Sequence, residues 1–178
     1  MAIDPFSKLK DDARNEAYSY FDLRIRKLPR RNGKIDPLAS GFDDNDVDAF
    51  RHAYVSGVFT QEYGEKTANF FGLATEYGPA GLYSNSLNPA SRNMDLWNNR
   101  VGRKYGKTTR SRNDLLKKIH KALNNGELIL QPNDPRKFVG ATKPPKHLSK
   151  PIIALSKTRT GRNKTYFDIE KRIVLSRK

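Results

Sequence analysis

His52 stands in the stretch DAFRHAYVSG, with Arg51 beside it and Asp48 and Ser56 each four residues away. On a helix, spacings of three and four bring side chains together. A carboxylate one turn before a histidine fixes its tautomer and raises its basicity, which suits a general base or a metal ligand. The same spacing also fits a surface histidine with an incidental acidic neighbour. A second stretch, MDLWNNRVGRKYG over residues 94–106, sets Asp95, Asn98 and Asn99 among apolar residues. Amides lower helix propensity and, once buried, need hydrogen-bond partners. Two uses meet that need: bonds to a neighbouring loop or, together with Asp95, the positioning of water, substrate or a hard cation. Glu76, just before YGPAG, is either a solvated carboxylate or, where its surroundings raise its pKa, a general acid. Arg51, Arg100 and Arg103 suit an anionic group. The catalytic candidates are therefore His52, Glu76 and Asp95. Asp48, Arg51, Asn98, Asn99, Arg100 and Arg103 are the positioning candidates; no cofactor is specified by the sequence, and a divalent cation is the one that Asp95 with an Asn could hold.

The elements that must carry these residues are mostly helices. Ala13, Ala17, Tyr20, Phe21 and Ile25 predict a helix over 11–26. Pro29, Gly33 and Pro37 make 27–42 a loop. The acidic run DDNDVD offers several N-caps to the helix of His52, whose apolar residues Phe50, Ala53, Tyr54, Gly57 and Val58 recur at helical spacing until Gly64. A helix over 65–77 carries Ala68, Phe70, Phe71 and Ala74 and ends at GPAG. Asn88 and Pro89 open the next, which puts Met94, Trp97, Val101 and Tyr105 on one stripe and Asp95, Asn98, Asn99 and Gly102 on the adjoining one. Ser111 and Asp114 form a capping box for a last helix, with Leu115, Leu116, Ile119 and Leu123 inward and Gly126 as its stop. Five prolines in residues 131–151 predict extended chain, and Ile152, Ile153, Tyr166, Phe167 and Ile169 a β-hairpin turning near Gly161.

The fold class expected is mainly α with a small C-terminal β-hairpin, a compact core of four to five helices plus a basic extended tail. Residues 1–7 read as a vector-derived leader, 8–130 as the helical domain with the site, and 131–178 as a basic, proline-rich segment with the hairpin, packed on that domain or appended to it. A chain of 178 residues suits one core.

Charge divides the chain. Residues 1–100 hold 13 Lys and Arg against 14 Asp and Glu, and residues 101–178 hold 21 against 5, a net −1 followed by +16. The expected partner of such a half is an anionic polymer or surface: nucleic acid, lipid head groups or acidic wall polymers. No apolar run is long enough for a transmembrane segment, and the N-terminal residues have no signal-peptide pattern, so export would depend on a dedicated system or a longer protein. Without cysteine there are no disulfides, thiolate nucleophiles or cysteine-bound zinc. DDNDVD lacks the glycine and final glutamate of a calcium loop, and no H-E-x-x-H, phosphate-binding glycine loop or G-x-S-x-G occurs. Glu76 with LYSN has a faint lysozyme-like look, but Asn85 stands where a second carboxylate would be needed.

DAFRHAYVSGVFTQEYGEKTANFFGLATEYG together with MDLWNNRVGRKYG, within residues 46–126 and including ALNNGEL, resembles a poorly characterised C-terminal domain of secreted bacterial polymorphic-toxin proteins. The resemblance implies an effector module, delivered into or against other cells and acting as an enzyme, whose partners would include an immunity protein. It places recurrent polar residues at Arg51, His52, Glu76, Asp95, Asn98, Asn99 and Arg103. It also implies histidines where this chain has Thr75 and Trp97, and their loss argues against a zinc centre. The leading reading is a secreted effector that hydrolyses an anionic envelope target, with His52 as base oriented by Asp48. A nuclease toxin and a non-enzymatic nucleic-acid-binding protein are the alternatives.

Overall fold

The computed structural model describes residues 5–21, 30–31, 34–35, 41–77 and 88–140. The expected hairpin around Gly161 and the basic segment beyond Gly140 lie outside the described residues. The described chain is mainly helical: α1 (Pro5–Tyr20), α2 (Asp46–Tyr63), α3 (Glu65–Tyr77), α4 (Pro89–Thr108) and α5 (Arg112–Asn124). One two-residue antiparallel pair, β1 (Arg30–Arg31) with β2 (Lys34–Ile35), falls inside the stretch expected to be loop. Asn32-Gly33, the dipeptide between them in sequence, is one that tight hairpins favour. No described helix is long and apolar enough to cross a membrane.

Local chemistry sets the helix ends. Of the acidic run, Asn45 becomes the cap of α2: its side-chain oxygen accepts from Val47 N at 2.9 Å and Asp48 N at 3.1 Å. Gly64 closes α2 at φ 84°, a conformation that costs glycine least, and its N–H donates to the Thr60 carbonyl. Asn88 caps α4 ahead of Pro89, and Ser111 caps α5. Helix α1 departs from expectation: it starts at Pro5, inside the supposed leader, and stops at Tyr20, with Phe21 in a turn. The stop frees Phe21 to pack edge-on against Phe50, while Tyr20 stacks flat on the same ring at 4.8 Å.

Helices α2 and α4 lie side by side and run in the same direction. Ser91 Oγ donates to Asp44 at one end, and Gln61 reaches the Thr109 side chain at the other. Between them the backbones touch. A Cβ on Gly102 would sit 1.9 Å from the Ala53 carbonyl oxygen, and one on Gly106 would sit 2.5 Å from that of Gly57. Helix α3 returns antiparallel, since Glu65 at its start pairs with Lys107 late in α4. Helices α1 and α5 complete the core of Phe50, Tyr54, Val58, Met94, Leu115, Ile119, Leu128 and Ile129. Glu16 of α1 links three helices by accepting from Tyr54 at 2.7 Å and from Arg112 at 2.5 Å.

Among the described residues after α5 there is no helix or strand, in line with the extended chain expected from Gln131, but Gln131–Gly140 is strapped to α4. Arg136 donates to the carbonyls of Gly126 and Leu128, and Asn93 bonds the backbone at Arg136 and Phe138. By contacts the chain divides into units of residues 1–144 and 145–178, so the helical body extends past Leu130.

Gly102→Ala should cost more than the ~1–3 kcal/mol of ordinary overpacking, because its methyl meets backbone. Urea unfolding measures this, and a variant as stable as the parent would refute the contact.

Candidate functional site

The first two turns of α2 and the second turn of α4 meet at one place. Asp48 and His52 come from α2, Asp95 from α4, and Glu76 arrives at the end of α3. His52 Nε2 lies 3.4 Å from Asp48 Oδ1 and 3.3 Å from Asp95 Oδ1. One donor atom each from Asp48, His52 and Asp95 falls within 4.8 Å of the others, the spacing of a metal-ligand group. Arg51 pairs with Asp48 and places Nη2 2.9 Å from His52 Nε2. Asp48, Glu76 and Asp95 are all buried.

Asp48 is held by the turn before the helix. Asp44 adopts φ 55°, a left-handed conformation that aspartate tolerates, and so aims its N–H at Asp48 Oδ2 at 2.8 Å. Ser91 of α4 in turn bonds the Asp44 carboxylate. Burial would raise the Asp48 carboxyl, but the neighbouring His52, the Arg51 guanidinium and the Asp44 N–H outweigh it and hold it far below the usual range. The opposite holds across the site. Burial pushes Asp95 up to about 7, with the charges of Glu76 and Asp48 adding and His52 opposing. Burial likewise raises Glu76 to about 7, against a hydrogen bond from Asp95. Glu76 and Asp95 therefore behave as a buried carboxyl pair that keeps a proton near neutrality.

The geometry alters the role expected of His52. Asp48 sits on Nε2, the same nitrogen that faces Asp95, rather than on the far side of the ring. Such a carboxylate cannot hold the imidazole from behind while Nε2 takes a proton from substrate. Three lone-pair atoms converging on one point favour the ligand role over the base.

The other candidates separate. Asn98, fully buried, clamps the loop: its side-chain amide donates to the Ile129 carbonyl at 2.8 Å and accepts from the Ile129 N–H at 2.9 Å. It is a structural residue. Asn99 and Arg103 face α3 at Gly72, one to two turns along α4 from Asp95, and burial lowers the Arg103 guanidinium to about 10. Arg100 points away from the site, with its guanidinium over Trp97 at 4.4 Å and near Phe138 at 5.5 Å. Trp97 itself donates to the Glu127 carbonyl. Two residues past Asp95 is about 200° around the helix, so the identity of residue 97 has no bearing on this centre. Thr75 bonds its own helix at Phe71. Asp44 and Ser91 were missed in the sequence because their roles depend on a left-handed turn and on the neighbouring helix. The acidic run before α2 was the one available signal.

Residues 30–127 match the model of a family described as a domain of unknown function, DUF6973. The chain belongs to that family. In this DUF6973 member the matched stretch contains α2, α3, α4 and α5, and so every residue of the centre. No curated protein matches the chain, and no solved structure does.

Asn98→Ala leaves two buried backbone groups at Ile129 unpaired and should cost about 1–3 kcal/mol; calorimetry of the folded variant checks this, and a neutral result would dismiss the clamp. A carboxyl raised on folding binds a proton that the unfolded chain has released, so between about pH 4 and 7 stability falls as pH rises. Melting temperature in chelator should therefore drop from pH 5 to 7.5, and the slope should flatten in Asp95→Asn. Equal slopes would place the proton elsewhere. Asp48 works at the other end: depressed on folding, it adds stability above about pH 4 that is lost below it.

Proposed function

We propose that this chain is an effector domain of the toxin type, acting on other cells as a hydrolase of an anionic envelope target, lipid or wall polymer. The observation behind the hydrolase reading is the convergence of Asp48, His52 and Asp95 beside a further buried carboxyl, Glu76. A purely structural polar cluster satisfies its own atoms. Here Asp95 Oδ1 and Glu76 Oε2 are buried with no hydrogen-bond partner among the described residues. Retaining such groups costs stability, a cost characteristic of reacting centres. The carboxyl pair can deliver or take up a proton near neutral pH, as cleavage by water requires. Arg51, on the more open side of the cluster, is placed to draw an anionic group toward it.

The anionic target follows from charge. Arg110, Lys117, Lys118 and Lys121 line a groove between the end of α4 and α5 with Asp114 as the single acid, and the tail adds to the excess. The same groove suits the phosphates of a nucleic acid, which makes a nuclease toxin the second reading. Delivery against other cells rests on the resemblance in sequence to polymorphic-toxin domains.

Expression in a bacterium with and without a periplasmic export signal separates these readings by growth. Killing only on export, abolished in a folded His52→Ala form, is the expected result. Killing from the cytoplasm would indicate the nuclease, and survival in both compartments would leave a nucleic-acid-binding protein.

A further inference from the structure

We propose that Asp48, His52 and Asp95 hold a divalent cation of the Mn²⁺ class, with Glu76 as an adjoining carboxyl that completes or supports its shell. The inference deepens the hydrolase reading and rests on it for the ion's purpose. Distances carry it first. Two ligand atoms each about 2.1 Å from one ion, at angles of about 90–110°, stand roughly 3.0–3.4 Å apart. His52 Nε2 stands 3.4 Å from Asp48 Oδ1 and 3.3 Å from Asp95 Oδ1. These separations are long for a hydrogen bond and right for two ligands of one ion.

Unmet valence is the second observation. Asp95 and Glu76 are 7% and 5% exposed, and each leaves a buried oxygen without a hydrogen bond. Asp95 Oδ1 is one of the atoms that converge on His52. Arg51 Nη2, at 2.9 Å from Nε2, can only donate, so that nitrogen carries its lone pair toward the cluster, where an ion would take the place of the guanidinium N–H. Charge agrees. Three carboxyls stand against the one guanidinium in direct contact in a place shielded from water, so an ion that takes the place of the proton shared by Glu76 and Asp95 meets a net negative charge that a divalent cation neutralises. The donors decide the class. Carboxylate oxygens predominate and favour hard ions, while the single imidazole favours Mn²⁺ over Mg²⁺ or Ca²⁺. The support is also that of a ligand set: the Asp44 N–H fixes Asp48, and Ser91 fixes Asp44.

The test is titration of the chelator-treated full chain with MnCl₂, with bound ion followed by electron paramagnetic resonance. One Mn²⁺ per chain is expected, and its pulsed spectrum should show coupling to one imidazole nitrogen. His52→Gln should remove that coupling, and Asp95→Asn should weaken binding at least about tenfold. Absence of stoichiometric binding, or of the nitrogen coupling in the parent chain, overturns the site; the parent measurement depends on no variant folding. Equal affinity in a folded Asp95→Asn form overturns it as well. Occupancy is read without substrate, so an ion bound by a chain inert in the growth assay upholds the cation site while sinking the hydrolase. Killing by a chain that binds no ion does the reverse.

Discussion

The contact between the backbones of α2 and α4 is the constraint on which the rest of the molecule depends. Glycine at 102 and 106 lets carbonyls of the neighbouring helix come where a methyl would stand. At ordinary helix separations of about 8–10 Å, the imidazole on α2 would lie too far from α4 for one of its nitrogens to reach both Asp48 and Asp95. Close approach also explains why α2 is buried almost all round: α4 takes one side, α3 another, and Leu115 of α5 packs over Gly57. The helix of His52 is a central post, although its sequence resembles that of an amphipathic surface helix.

The parallel arrangement has an electrostatic side. Two parallel helices place both positive dipole ends together. Asp44, Asp46, Asp48 and Asp95 stand in that field, so acids that crowd one another are partly offset by the helices that carry them. The compensation is uneven. Asp48, with N–H and guanidinium donors, stays ionised; Asp95 and Glu76, equally buried but facing each other, hold a proton near neutrality. At equal burial, the donors around it separate a charged carboxylate from one that keeps its proton.

Much of the helical frame was legible because caps and stops are local. Gly64, the Asn88-Pro89 pair, Ser111 and Gly126 act within a turn of their own positions, and the residues they mark are where helices begin and end. The meeting of His52 with Asp95 was partly legible, since each stood among apolar residues on a strong helix. The division of labour among the polar residues of α4 was not. Asn98, Asn99, Arg100 and Arg103 follow one another within two turns, yet they face a loop, α3, a tryptophan and α3 again. Nothing in their spacing states which neighbour lies on which side. The end of α1 was misplaced for a related reason: Phe21 fits the helical pattern, but Phe50 draws it out of the helix.

The parallel pairing of α2 with α4 also bears on how the chain acquires its shape. Adjacent antiparallel helices zip from a turn, whereas Ala53 and Gly102 meet across about fifty residues, a loop-closure cost met before any contact repays it. Helix α3 and its connections span that separation. Until α2 and α4 meet, Asp48 and Asp95 are separate side chains on separate helices. The centre therefore exists only where α2 and α4 have docked, and a chain without that contact is chemically silent.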